Sequence, residues 1–219
     1  MEMLMSEERK KLSDFSRRML TEHLTVGTSG NLSIRKDDLI AITPSGVPYD
    51  RISPEDICVI TLAGDLVDGH LEPSSEIPMH TSVYGQTVAQ SVVHTHSVYA
   101  TAVSCVIEEL PPIHYMCAYL GGPVRVVPYA LFGSAELASN CVKGLDGRYG
   151  VLLQNHGATT LGASIESAFS RSLYLEWMCQ VYREAQQMGR PHLLNQAELD
   201  MVATRLTRYG QSAGRNRMS

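Results

Sequence analysis

The sequence predicts an α/β or α+β domain built on one core sheet. Short strand-like and longer helix-like hydrophobic patterns are mixed along the whole chain of 219 residues. Several neighbouring strand patterns are separated only by short turns, which is typical of antiparallel pairing. Neither an internal repeat nor a low-complexity linker interrupts the chain. We therefore expect residues 1–219 to form a single domain whose sheet contains antiparallel pairs.

The N-terminal part of the chain predicts one helix followed by strands. Leu12, Phe15 and Met19 lie at helical spacing in a helix expected over about 6–24. Apolar runs and alternation then predict strands at 32–34, 39–42 and 58–62. Ser53-Pro54-Glu55-Asp56 has the polar cap, early proline and first-turn acids of a helix start.

The rest of the chain alternates between the two patterns. Strands are expected at 91–96, 124–127 and 150–154, and helices at about 78–86, 97–107, 134–143, 164–188 and 195–209. The long helix over 164–188 is expected to begin at Ser164. The last helix begins in the manner of a capping box, because Asn195 is followed three residues later by Glu198.

Composition argues against several classes of protein. A net charge of −5 does not suit a nucleic-acid-binding surface. The five cysteines form no CxxC pair and lie mostly in apolar runs, which is typical of buried free thiols in a reducing cytoplasm. The charged N-terminus lacks a signal-like apolar region, and no apolar stretch approaches the roughly 18 residues of a membrane span. We expect a cytoplasmic protein that binds neither nucleic acid nor membranes.

Three histidines follow strand-like apolar runs. His94 and His96 stand two residues apart after Val92-Val93, so a strand would direct both imidazoles to one face. His156 follows a second apolar run about sixty residues later. Three imidazoles that leave a fourth position open are the ligand set of a catalytic zinc site, although a pair of histidines in a strand is by itself often structural.

Small polar loops supply a second kind of chemistry. Ser74 and Ser75 precede a predicted helix, where hydroxyls and free backbone N–H groups suit a phosphate or carboxylate. The loops 28–31 and 43–46 are similar, although each alone is more often just a turn. Glu76 could reach the same pocket, but an acid in the first turn of a helix is also explained by the helix dipole.

These motifs, in this order, resemble the class II aldolase/adducin family over roughly residues 8–210. Within the family they are most similar to the members that cleave L-fuculose 1-phosphate. The motifs that carry the resemblance are 27–31 (GTSGN), 42–49 (ITPSGVPY), 73–76 (PSSE), 93–96 (VHTH), 113–116 (IHYM) and 154–157 (QNHG).

The resemblance implies a site and an assembly. His94, His96 and His156 would bind one Zn²⁺ per subunit, although another divalent transition metal would also suit imidazoles. Glu76 would be the catalytic acid/base and would also ligate the metal when substrate is absent. The substrate phosphate would contact Thr28, Gly30, Asn31, Ser45, Gly46, Ser74 and Ser75. The implied fold is a three-layer α/β/α sandwich around a largely antiparallel central sheet, and the implied assembly is a homotetramer with sites near subunit interfaces.

Three aromatic residues complete the implied site. Tyr115 and Tyr209 match tyrosines that reach the site, in part across a subunit boundary. Phe132 matches an aromatic residue near the aldehyde pocket. Each of the three is also compatible with ordinary packing. His80 and His114 are interpreted as supporting or packing residues, because three histidines and one glutamate already complete the expected ligand set.

The implied reaction is reversible cleavage of a ketose 1-phosphate to dihydroxyacetone phosphate and a small aldehyde such as L-lactaldehyde. Because a metal stabilises the negative charge, no Schiff-base lysine is required, and none lies in the motifs. The alternatives within the family are a sugar-phosphate 4-epimerase, a dehydratase and a decarboxylase. A non-catalytic, adducin-like binding module is a third kind of protein, which the retained histidines and Glu76 disfavour.

Overall fold

A computed structural model describes residues 3–207 of the chain. Its helices are α1 Ser6–Thr21, α2 Ile77–Gln86, α3 Val98–Ser104, α4 Ala135–Gly144, α5 Ile165–Met188 and α6 Gln196–Leu206. Its strands are β1 Asn31–Lys36, β2 Leu39–Ile42, β3 Cys58–Thr61, β4 Leu66–Asp68, β5 Ser91–Thr95, β6 Glu109–Leu110, β7 Val124–Val127, β8 Gly150–Leu153 and β9 Gly157–Gly162. Two 3-10 segments cover Pro54–Asp56 and Tyr115–Leu120.

The strands form one sheet in the order β4-β3-β2-β1-β5-β9-β8-β7-β6. Every neighbouring pair is antiparallel except β7 and β8, which are parallel. The α/β class and the largely antiparallel central sheet are therefore confirmed. The central strands β1, β5 and β9 lie next to one another, so the end of β5 is held from both sides.

Helices cover both faces of the sheet. Side chains alternate across a strand, so Val92 packs toward α2 and α4 whereas Val93 packs toward α1 and α5. Farther along the second face, Leu152 and Ala158 pack against α3 and α5. The result is a three-layer arrangement in which His94, two residues after Val92, shares the α2 face.

The apolar stripe and the capping residues predicted from the sequence are found in the corresponding helices of the structure. Leu12, Phe15 and Met19 are the buried stripe of α1, which ends three residues before the expected boundary. The Ser164 hydroxyl accepts the backbone N–H of Ser167 at the start of α5. Asn195 and Glu198 form the predicted capping box of α6. Ser53 and Asp56 also form a capping box, but it closes only one 3-10 turn.

Three strands were not predicted. β4 and β6 are short pieces at the two edges of the sheet, where little apolar pattern is needed. β9 is fully buried and central, but glycines begin and end it and threonines stand in its middle. All five cysteines are free, and Cys105 alone among them is exposed. Within residues 3–207, no helix is long and apolar enough to cross a membrane.

Candidate metal centre

Four side chains converge where three elements meet. His94 is the fourth residue of β5, His96 follows the strand end, and His156 lies in the turn between β8 and β9. Glu76 is the N-cap residue of α2, which packs on the same face of the sheet. One ligand atom from each of the four lies within 4.8 Å of all the others. The structure therefore brings together all four predicted metal ligands.

His94 directs one ring nitrogen toward the other ligands. Its Nδ1 lies 3.0 Å from the carbonyl oxygen of Ala158, which can only accept, so Nδ1 donates to that oxygen and Nε2 faces the cluster. That Nε2 lies 2.9 Å from His96 Nε2 and 3.1 Å from Glu76 Oε2. These three atoms lie close enough together to bind one cation.

Glu76 supplies the second observation that a metal fits. Its Oε2 accepts a hydrogen bond of 2.8 Å from Asn31 Nδ2. Its Oε1 is buried and has no hydrogen-bond donor within the described part of the chain, although His156 Nε2 lies 3.6 Å away. A buried carboxylate oxygen without a partner is costly, so Oε1 is available to an ion or a substrate proton.

The protonation states also suit a metal. Burial, reinforced by His94, lowers the pKa of His96 to about 3 and that of His156 to about 4. Burial by itself would raise the pKa of Glu76, but the adjacent His94 and the Asn31 amide lower it below its ordinary value. Neutral imidazoles and an ionised carboxylate are the forms that bind divalent cations.

A cavity of about 320 Å³ opens from the cluster. Glu76, His96 and His156 lie in its wall, whereas His94 is fully buried behind them. All seven residues predicted to contact phosphate line the same cavity, namely Thr28, Gly30, Asn31, Ser45, Gly46, Ser74 and Ser75. Phe132 lines it as well.

The serine loops are tied to one another by their backbones. Ser45 N–H donates to the carbonyl of Glu72, and Ser74 N–H donates to that of Thr43. The Ser74 hydroxyl accepts the backbone N–H of Glu76, whereas Ser75 is exposed. No lysine or arginine is among the described residues that line the cavity. An anion there would be bound by hydroxyls, backbone N–H groups and the N-terminal end of α2.

The two predicted tyrosines stand apart from this cavity. Tyr115 is half-exposed and lies with His114, Tyr174 and Trp177 on a separate aromatic surface, where its ring is 4.2 Å from that of His114. Within one subunit the structure therefore does not bring Tyr115 to the metal ligands. Tyr209 lies outside the described residues.

Sequence reasoning missed two residues of the cavity wall. Tyr129 and Asn155 line the cavity beside the predicted residues. Asn155 was quoted only as part of the His156 motif, yet its left-handed backbone turns the chain just before that ligand. His80 was interpreted as a supporting residue, and it contacts Asn31, the partner of Glu76. Burial lowers the pKa of His80 to about 3, so its imidazole is neutral.

Known proteins share this fold and much of this sequence. The sequence profile of the "Class II Aldolase and Adducin N-terminal domain" matches residues 10–183. A 5-deoxy-D-ribulose 1-phosphate aldolase of Bacillus thuringiensis serovar kurstaki is 37% identical over 95% of this chain and 100% of its own. An L-fuculose phosphate aldolase of Escherichia coli is 35% identical over 93% of this chain and 97% of its own. A solved structure of L-fuculose 1-phosphate aldolase is 36% identical, with a TM-score of 0.91, and the match covers 94% of this chain and 98% of that one.

The chain belongs to the class II aldolase and adducin family. Its relatives and structural neighbours named above are aldolases, which are lyases, and it shares nearly its full length with them. It is therefore an enzyme of the class II aldolase type rather than a non-catalytic member of the family.

Proposed function

We propose that this enzyme cleaves a ketose 1-phosphate to dihydroxyacetone phosphate and a small uncharged aldehyde. The observation that carries the proposal is that Glu76, His96 and His156 share the wall of one cavity with a set of serine and glycine loops. The carboxylate and imidazoles suit a metal, and the loops suit a phosphate. A sugar phosphate has both a carbonyl group and a phosphate, so it can contact both groups of residues at once.

We propose Zn²⁺ as the metal, held by His94, His96 and His156. The ion would supply electrophilic stabilisation of the negative charge that develops on the substrate oxygens. In the absence of substrate, Glu76 would complete the ligand set, which agrees with its unpartnered Oε1. Full burial of His94 and its bond to Ala158 hold one imidazole in a fixed orientation before any substrate arrives.

The serine and glycine loops position the substrate. Neutral donors from the loops 28–31, 43–46 and 73–76 would surround the phosphate. Because the phosphate does not react, its binding energy serves to orient the C3–C4 bond against Glu76 and the histidines. The backbone bonds between the second and third loops keep this cradle rigid.

Glu76 is proposed to move the proton at C3. When the C3–C4 bond breaks, its electron pair stays on C3 and the C4 hydroxyl loses its proton, so that C4 becomes the aldehyde carbon. C3 must then gain a proton to give dihydroxyacetone phosphate. Glu76 is buried, lines the cavity and has one oxygen free, as a general acid/base requires.

Part of the cavity wall is uncharged. Phe132, Tyr129 and Ala130 line it, and we propose that they face the aldehyde half of the substrate. This favours aldehydes with short or apolar substituents. L-Lactaldehyde from L-fuculose 1-phosphate and acetaldehyde from 5-deoxyribulose 1-phosphate both fit that description, and relatives named for both phosphates are similar to this chain.

We also propose that the enzyme is a homotetramer and that Tyr115 and Tyr209 act at the C4 oxygen from a neighbouring subunit. The support is the position of Tyr115, which lies half-exposed on an aromatic surface outside the cavity of its own subunit. A second copy that covered this surface would bring the tyrosine to another cavity. Light scattering of the Trp177→Asp variant tests the assembly, and smaller particles with lower activity are expected.

The reaction is tested by supplying purified, Zn²⁺-loaded enzyme with L-fuculose, L-rhamnulose, D-ribulose and 5-deoxyribulose 1-phosphates. Release of dihydroxyacetone phosphate from at least one of them is expected. Product analysis by NMR separates cleavage from epimerisation, dehydration and decarboxylation. Failure with every ketose 1-phosphate would refute the proposed function.

A further inference from the structure

We propose that His80, Ser33 and Tyr84 are positioning residues that fix the orientation of the Glu76 carboxylate through Asn31. The proposal rests on the role of Glu76 given above. It concerns four hydrogen bonds that run from the core beneath α2 to the metal centre.

The four bonds form one continuous chain. Tyr84 OH lies 2.7 Å from Ser33 Oγ, and Ser33 Oγ lies 2.6 Å from His80 Nδ1. On the other side of the ring, His80 Nε2 bonds to Asn31 Oδ1, and Asn31 Nδ2 donates to Glu76 Oε2 at 2.8 Å. All five side chains are buried, and His80 and Ser33 are completely so.

The spacing of these residues explains how the chain of bonds is assembled. Glu76, His80 and Tyr84 stand four residues apart at the start and along α2, so they share one face of the helix. Asn31 and Ser33 are two residues apart on β1 and point to that same face of the sheet. His80 bridges the two strand residues, one with each ring nitrogen.

The ionised carboxylate determines the direction of every bond. A carboxylate accepts only, so Asn31 must present its NH₂ group to Glu76 and its carbonyl oxygen to His80. His80 must therefore carry its proton on Nε2, which leaves Nδ1 to accept the Ser33 hydroxyl. Ser33 Oγ in turn accepts the Tyr84 hydroxyl. Every donor points toward Glu76, and no member can reverse without leaving a buried group unpaired.

This arrangement fixes one oxygen of Glu76 and leaves the other free. Oε2 is held by Asn31 and lies 3.1 Å from His94 Nε2, whereas Oε1 lies 3.6 Å from His156 Nε2 and has no hydrogen-bond partner within residues 3–207. If His80 no longer held Asn31, the amide could rotate and the carboxylate could turn with it. The proton transfer would then start from several orientations instead of one, which lowers kcat.

The central test compares His80→Leu with His80→Gln. Glutamine can place an N–H group near the position of His80 Nε2, whereas leucine cannot donate. We expect His80→Leu to lower kcat about 10- to 100-fold, the range found when a partner of a metal-site residue is removed. His80→Gln should recover most of the lost kcat.

A readout without substrate separates this proposal from the proposed reaction. The visible spectrum of enzyme loaded with Co²⁺ reports the ligand geometry that Glu76 helps to set. We expect the spectrum to change in His80→Leu and to resemble that of the wild type in His80→Gln. If the wild-type enzyme cleaved no ketose phosphate, the proposed reaction would be wrong. The comparison of the His80→Leu and His80→Gln spectra with the wild-type spectrum would still test the positioning role.

A milder pair of variants covers the case in which His80→Leu does not fold. Ser33→Ala removes the donor to His80 Nδ1, and we expect the same changes in kcat and spectrum to a smaller degree. Ser91→Ala is the matched control, because Ser91 is a fully buried serine on the adjacent β5 whose hydroxyl has no partner in the described chain. Wild-type spectra and kcat in both His80→Leu and Ser33→Ala would overturn the proposal, as would equal losses in Ser33→Ala and Ser91→Ala.

Discussion

Gly157 lies directly against the carbonyl group of Thr95. A Cβ atom at position 157 would overlap the Thr95 oxygen and approach the Cα of His96 at 3.5 Å. The two residues stand at the ends of the neighbouring strands β5 and β9. Through this contact, the turn that carries His156 is fitted against the segment that carries His96.

The Gly157→Ala substitution should disturb both stability and metal binding. The strands must separate to admit the methyl group, which costs about 1–3 kcal/mol of unfolding free energy. The shift also separates His156 from His96, so weaker metal binding is expected. Denaturation and metal titration measure the two effects. Gly85→Ala is the control, because that α2 position has open space and helical propensity favours alanine there. Equal metal affinity in both variants would contradict the prediction.

Removal of the metal should abolish activity and lower the melting temperature. A chelator is expected to do this reversibly in the wild-type enzyme, because a metal that binds only the folded state stabilises it. In His94→Ala the metal content should fall to near zero and added Zn²⁺ should restore nothing. His192→Ala, at an exposed position, should retain the wild-type metal content. The measurements are metal analysis of the dialysed protein and calorimetry.

Glu76→Gln should separate metal binding from catalysis. The three histidines remain, so we expect the variant to keep close to one metal ion per subunit. Without a carboxylate to move the proton, cleavage should fall by about 100-fold or more. Single-turnover kinetics and metal analysis on the same sample provide the comparison. If Glu76→Gln still cleaved the substrate at the wild-type rate, Glu76 would not be the general acid/base.

Ser75→Ala should weaken phosphate binding with little effect on stability. Ser75 is exposed in the cavity wall, and no side-chain hydrogen bond of this serine is found within the described chain. Loss of one hydrogen bond to a charged group costs about 1.5–3 kcal/mol, so inhibition by inorganic phosphate should weaken about 10-fold or more. A Ser74→Ala variant should lose stability as well, because its hydroxyl accepts the Glu76 N–H at the start of α2. Unchanged inhibition in Ser75→Ala would show that this serine does not contact phosphate.

The metal-free protein should become less stable as the pH falls below about 6.5. Burial lowers the pKa of His80 and His96 to about 3 and that of His156 to about 4, from an ordinary value of 6.5. Between these values the unfolded chain binds protons that the folded chain does not, so unfolding becomes more favourable with acid. Each group contributes up to about 1.4 kcal/mol per pH unit.

Urea denaturation of the metal-free protein at several pH values measures this slope. The slope should be shallower in His80→Gln, which lacks one of the three groups, and unchanged in His192→Gln, where the side chain is exposed. A slope of the same size in His80→Gln and the wild type would assign the pH dependence to other groups.

Local sequence patterns were sufficient to predict much of the fold. The α1 stripe and the α6 capping box depend on residues three to four apart, so the sequence displays them directly. β9 was missed because its side chains are small and its central position comes from pairing on one side with β5, which is distant in the chain. The edge strands β4 and β6 were missed because two or three residues carry no measurable period.

The candidate site also has features that short motifs predict and features that only the folded structure shows. The four metal ligands and the phosphate loops each stand in a short motif, and the fold brings the motifs together. The contact between His80 and Asn31 joins residues 49 positions apart, so no local pattern could reveal it. Tyr115 lies in one of the motifs but outside the cavity, and no local pattern could show that position.

The lack of lysine and arginine in the described cavity wall has a consequence for how substrate arrives. The chain carries a net charge of −5, so a dianionic sugar phosphate gains no long-range attraction from the protein as it diffuses toward the opening. Added salt screens repulsion as well as attraction. The rate of substrate capture should therefore stay level or rise with ionic strength, whereas capture by a lysine-lined phosphate site would slow.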